Sequence, residues 1–225
     1  MEIRKRLLFI VSIFLIFAFL GFLFYEPIIL NISAFLSVPG VNVVFTSPFQ
    51  FLELGINSAV FIGATATIPL VIYQILSFIR PALSKQEYKS LFFILPISIF
   101  LFLFGFGYGL VMMRYVITLF YEKSVALNIG NILDISQLLS KILATSTLMG
   151  IGFQFPIILT LLMRLKIVKY KAVKKQRFLA WMGAIFFAAF LPPTDLMSLA
   201  LLTLPLVILF ETTLILNRVF KTHMI

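Results

Sequence analysis

The sequence predicts an all-α polytopic membrane protein: six transmembrane helices in a bent, concave bundle, with both termini cytoplasmic and residues 1–225 forming a single integral membrane domain. Three observations carry this reading. The chain is 62% hydrophobic and 12% charged, with a mean hydropathy of +1.14, whereas soluble domains are about 45–50% apolar and about 25% charged. Its apolar residues gather into six segments, 7–25, 55–79, 91–117, 138–163, 178–191 and 198–216. Its 18 Lys and Arg residues fall almost entirely in alternate connections between those segments.

The first segment has too long an apolar run for a signal-peptide core, and no small-x-small site follows before Glu26, so it reads as a retained helix. The connection 26–54 is apolar and has no basic residue. Its "SVPGVNVVFTSPFQFLELG" reads as a turn, a short extended piece and a helix start, with Pro48 suited to a first turn, the whole lying as a cap on the outer surface. The fifth segment is short for a span and the sixth barely long enough, which local thinning or bundle packing accommodates. Pro69, Pro96, Pro156 and Pro205 fall within the second, third, fourth and sixth segments. Each removes an amide and crowds a carbonyl one turn back, so these helices bend, which is tolerated in a bundle whose neighbours re-satisfy the backbone. The glycines of "GFGYG", 105–109, lie inside an apolar segment and suit close helix approach rather than phosphate binding.

Orientation follows from charge. Arg4, Lys5 and Arg6, then Arg80, Lys85 and Lys89, then the basic run from Arg164 to Arg177, then Arg218 and Lys221 share one side; only Arg114, Lys123 and Lys141 fall on the other. The positive-inside rule puts the crowded side in the cytoplasm or its organellar equivalent. Topology thus accounts for the net charge of +10 without nucleic acid, and the basic face also attracts anionic lipid headgroups.

Catalytic chemistry has little to build on. There is no Cys, and His223 is the sole histidine, so no thiolate metal site, His-based triad or His-rich metal site can be assembled. No G-x-x-x-x-G-K-[ST] loop occurs. The chain reads as neither an enzyme nor a cofactor protein.

Eight carboxylates remain to be placed. Glu26, Glu53, Glu122, Asp134 and Asp195 fall outside or near the outer interface. Glu2 and Glu87 stand alone on the cationic face, either pairing with neighbours such as Arg6 and Lys89 or receiving a cationic ligand. Inside the spans, Gln154 is either an interhelical hydrogen bond or a cavity group, and Glu211 either an ion pair near the inner interface or a coupling residue.

Several blocks in order resemble the TatC family, the multispanning core subunit of the twin-arginine (Sec-independent) protein translocase: "EIRKRLL" at the start, "SPF" at 47–49, "IPLVIYQILSFIRPALSKQE" at 68–87, "FGFGYG", "GFQFPI", "PPTD", then Pro205 and Glu211. The resemblance implies a receptor for twin-arginine signal peptides of folded cargo, bound by Glu2, Arg4, Phe78, Pro81, Leu83 and Glu87. It implies single-span TatA- and TatB-type partners, self-association, drive by the proton-motive force, and residence in a plasma or inner membrane, or an organelle inner or thylakoid membrane. It also makes Asp195 and Ser198 candidates for partner contact. The chain departs from the family pattern at Gln154, where Glu is usual, and at "PPTDLMSL", where Pro192 and Leu199 replace Thr and Gln. The rival readings are a small-solute or ion transporter lined by Gln154 and Glu211, and a structural membrane subunit.

Overall fold

The structure, a computed structural model, describes residues 2–36, 42–79, 94–128, 132–165, 167–193 and 195–222. In chain order the elements are α1 (Glu2–Leu23), α2 (Tyr25–Leu36), β1 (Asn42–Val44), α3 (Gln50–Ile79), α4 (Ile94–Ala126), β2 (Ile132–Asp134), α5 (Ile135–Gly152), α6 (Phe155–Arg164), α7 (Tyr170–Lys175), α8 (Arg177–Ala189) and α9 (Leu196–Thr222). Among the described residues, five helical stretches are long and apolar enough to cross a membrane: Arg4–Leu23, Gln50–Ile75, Leu95–Ala126, Ile135–Arg164 and Leu196–Arg218. The fifth expected span, α8, has 13 residues, about 20 Å of helix against a hydrocarbon core of about 30 Å.

The expected connection 26–54 needs correcting at its start, where a helix, α2, opens that hydropathy alone merged into an outer cap. The helix start read beside Pro48 is found, with α3 beginning at Gln50. Pro27 lies in the first turn of α2, where a missing amide costs nothing, so the chain turns after Leu23 and resumes as helix. Ile29 of α2 is buried with Leu54, Met113, Ile117, Leu139 and Ile142, and Tyr25 and Ile32 pack beside them. The expected extended piece is β1, which pairs in parallel with β2, Val43 opposite Leu133. Asp134 closes this end of the molecule. It caps α5 through the Gln137 amide at 3.0 Å and accepts from the Thr46 hydroxyl and the Gln50 side-chain amide. The Thr46 hydroxyl first, then the Gln137 amide, hold its carboxyl below the usual carboxylate range.

In lipid no hydrophobic force draws helices together, so small residues and polar pairs decide which surfaces meet. Among the described residues α1 touches little but α3, through Gly21 against Ile62 and Gly63 against Phe14 and Ala18. α4 lies on α5 through Gly105 and Gly109, where an added Cβ would stand 2.7 Å from the Phe153 ring and 2.6 Å from Ser146 Cα. The glycine-rich "GFGYG" is thus a helix contact, as expected. Asn128, at φ 55°, carries the chain out of α4 in the left-handed conformation that asparagine tolerates.

The prolines behave differently from one another. Pro156 opens α6 after a break at Phe153 and Gln154, so the fourth span is two helices joined by a tight turn. Pro205 lies inside α9 and cannot bond the Leu201 carbonyl; the Tyr108 hydroxyl of α4 donates to that carbonyl instead, at 2.7 Å. Pro69 lies inside α3. Pro96 lies in the first described turn of α4, which is described from Ile94.

Candidate functional site

Cross-helix pairs show which helix ends share a side. α1 and α3 are antiparallel: Arg6 meets Gln74, Phe14 and Ala18 meet Gly63, and Phe22 meets Gly55. α3 and α5 are parallel, with Gln50 at Asp134, Asn57 at Ser140 and Thr65 at Thr147. α6 and α9 are parallel through Phe155 with Phe210 and Thr160 with Asn217. α8 runs back along α9, with Arg177 and Trp181 at Glu211, Ala180 in the cluster of Phe210 and Leu214, and Ala188 in that of Leu202 and Leu206. The start of α1, the ends of α3, α6 and α9, and the start of α8 therefore gather at one end of the molecule. That end collects Arg4, Lys5 and Arg6 with Arg164, Lys169, Lys171, Lys174, Lys175, Arg177 and Arg218. Segregated charge inferred from a linear sequence is thus a physical cluster.

Two expected site residues, Glu2 and Phe78, lie on facing helix ends at this pole. The register 6-to-74 places Glu2 on α1 level with the last turn of α3, which contains Phe78. Arg6 fastens the two ends, its guanidinium donating to the Gln74 carbonyl at 3.2 Å and to the Gln74 side-chain oxygen at 3.1 Å. Arg4 is exposed beside it. Pro81, Leu83 and Glu87 lie outside the described residues.

The intramembrane polar residues have partners. Gln154 is 2% exposed. It accepts from the Ser98 hydroxyl at 2.7 Å and donates to the Ser98 carbonyl at 3.1 Å, so its amide bridges α4 to the α5–α6 break. Glu211 takes the Trp181 indole N–H at 3.3 Å and the Arg177 guanidinium at 3.6 Å, the ion pair that the sequence suggested as one of two readings. Among the described residues no group of His, Asp and Glu is arranged to hold a metal ion.

The model of the family described as Sec-independent protein translocase protein (TatC) matches residues 1–205. The chain belongs to the TatC family. It is 32% identical to the Sec-independent protein translocase protein TatC of Rickettsia prowazekii, the alignment covering 99% of this chain and 92% of that one. It is 29% identical to TatCy of Bacillus subtilis, over 96% and 86% of the two chains. A crystal structure of the twin arginine translocase receptor TatC in DDM superposes with a TM-score of 0.85 at 25% identity, covering 96% of this chain and 97% of that one. Membership makes this chain a membrane-embedded component of a protein translocase rather than a member of a catalytic enzyme class.

Within this TatC fold, Asp195 and Ser198 act on each other. Asp195 caps α9, accepting from the Ser198 amide at 3.0 Å and the Ser198 hydroxyl at 2.6 Å, and Ser198 is buried. Leu199, where the family usually has Gln, packs against the cluster of Met112, Met149, Phe153 and Leu202. Burial works against the Asp195 charge, but the Ser198 hydroxyl and amide, with the amides of Asp195 and Met197, outweigh it and hold its carboxyl low. A depressed folded value gives stability that is present above the unfolded value of about 3.9 and lost as pH falls through the folded one. Asp195→Asn, which can still cap, is therefore expected to flatten the fall of thermal stability below about pH 4 in detergent. An acid limb as steep as the parent's would exclude this role.

Sequence reasoning missed the α2 helix, the Thr46–Gln50–Asp134 knot and the Arg6–Gln74 fastening. Only the pair at Asp134 carried a local signal, an acidic residue immediately before a helix. The others join residues with no sequence proximity.

Proposed function

We propose that this chain is the receptor and core subunit of a twin-arginine translocase, with six spans, α8 serving as the fifth, and both termini in the cytoplasm. Its basic pole faces the cytoplasm of a plasma or inner membrane, or the matching compartment of an organelle. The observation that carries the reading is the meeting of the α1 start and the α3 end, fastened by Arg6 and Gln74, inside a family of protein translocase components. Glu2 sits on that corner, and the segment bearing Pro81, Leu83 and Glu87 continues directly from α3.

A signal arginine is always charged and offers a planar fork that a carboxylate meets with two hydrogen bonds. On a surface crowded with cations, Glu2 and Glu87 are the favourable points for it, while generic basic peptides are repelled. Arg4, Phe78, Pro81 and Leu83 shape the surrounding surface. TatA- and TatB-type single-span partners and further copies of this chain complete the complex, which uses the proton-motive force. Asp195 and Ser198 contribute by holding the turn that presents Leu196 and Met197, both exposed. The engagement of Gln154 by Ser98 and of Glu211 by Arg177 and Trp181 favours this reading over a solute path lined by those two groups.

A photoprobe at position 87 or 2 is expected to label a peptide carrying a twin-arginine signal and to lose that label when the peptide's Arg-Arg is changed to Lys-Lys. Equal labelling of both peptides would overturn the receptor reading. Solute flux through the chain alone in liposomes would establish the transporter instead.

A further inference from the structure

α7 is a short helix with two faces. Tyr170 and Val173, three residues apart, turn inward onto Leu159, Phe210 and Leu214. This anchors the helix and leaves Lys171, Lys174 and Lys175 exposed. Those lysines stand at i, i+3 and i+4, which places them together on one face. Like charges at this spacing repel and weaken a helix, so the arrangement calls for anions.

The chain does not supply them locally. No Asp or Glu occurs anywhere from 164 to 194. Glu211 approaches from α9, but it is engaged by Arg177 and Trp181. None of the three lysines forms an ion pair among the described residues.

What borders the lysines indicates the source of the anions. α8 begins two residues after Lys175, and its first turns expose Phe178 (72%) and Leu179 (62%). Trp181 lies one turn further along, half-exposed, with its indole N–H turned to Glu211. Exposed cations on α7 followed directly in the chain by exposed aromatic and aliphatic side chains at the start of α8 match the profile of a leaflet, with headgroups above acyl chains. A soluble anion would find the charge but would have no use for the apolar band. An acidic protein segment would need polar groups where Phe178 and Leu179 stand.

We infer that the α7–α8 corner is a binding surface for anionic phospholipid headgroups, held by Lys171, Lys174 and Lys175, with the acyl chains lying on Phe178 and Leu179. Arg177 is excluded from the contact because its charge is already paired. The inference does not depend on what Glu2 or Glu87 binds.

Trp181 is the single tryptophan, which makes the test direct. The full-length chain is reconstituted in bilayers of phosphatidylcholine mixed with either brominated phosphatidylcholine or brominated phosphatidylglycerol, and quenching of Trp181 emission reports which lipid occupies its neighbourhood. Brominated phosphatidylglycerol is expected to quench at lower mole fraction, with a preference of about fivefold, the scale of one lysine near an anionic surface. The preference is expected to shrink as salt is raised. Lys171→Gln/Lys174→Gln/Lys175→Gln is expected to abolish it. Lys123→Gln/Lys141→Gln, at the opposite pole, is expected to leave it unchanged and shows that net charge alone is not responsible. Equal quenching by the two lipids, or an undiminished preference in the triple variant, would overturn the inference. Monodispersity of the triple variant before reconstitution confirms that it is intact.

Discussion

Gly109→Leu is expected to separate α4 from α5 and to lower the thermal unfolding midpoint of the detergent-purified protein by several degrees. Even the first added carbon would stand 2.6 Å from Ser146 Cα and 3.1 Å from the Ser146 amide nitrogen. Both are backbone atoms, so no side chain can swing aside and one helix must move. The helices cannot part freely either, because Ser98 and Gln154 bond across the same interface a few turns away and Tyr108 ties α4 to α9. Overpacking of this kind costs about 1–3 kcal/mol, and the strained cross-helix hydrogen bonds add to it. Gly107→Leu is the internal comparison: a Cβ there meets nothing within 4 Å, and its side chain would lie on the outer surface of the helix. Equal midpoints for the two variants would show that the α4–α5 contact does not depend on glycine.

Glu87→Gln is expected to cost the largest share of function. On the proposed receptor reading, this carboxylate meets a signal guanidinium. Glutamine keeps its size and one acceptor but loses the charge and the second oxygen. Removing one side of a close charge pair typically costs about 2–5 kcal/mol, so affinity for a fluorescent twin-arginine peptide should fall by about thirtyfold or more. Glu2→Gln is expected to weaken binding as well. If both carboxylates hold the same pair of arginines, the double variant will lose less than the two single losses added together. Fluorescence anisotropy with the purified chain decides it. Undiminished binding by Glu87→Gln would remove this loop from the site and leave the pole merely cationic.

Much of the architecture was legible because bilayer insertion is a local, additive property. Any segment of about 20 apolar residues announces itself without knowledge of its neighbours, which is why five of the six expected segments coincide with long apolar helices. α2 escaped because it is apolar yet follows α1 after a single residue, so averaging blurred the turn at Phe24 and absorbed the helix into the connection. The break before Pro156 was foreseeable from the missing amide, whereas the fate of the carbonyl freed by Pro205 was not: its donor, Tyr108, lies in α4.

The candidate site was legible in the same unequal way. The scarcity of carboxylates singled out Glu2 and Glu87, and charge segregation put them on one face. The sequence could not say that Arg6 binds the carbonyl and side chain of Gln74, 68 positions away, nor that Gln154 spends its amide on Ser98. By itself, then, the sequence determined which segments are membrane-embedded, which pole is basic and which few polar residues need explaining, because hydropathy and charge are properties of single residues. Only the tertiary structure decided whom those polar residues bond and which helix ends share a pole. Within a low-dielectric bundle each buried polar group must find a partner, and that partner is chosen by helix register, not by distance along the chain.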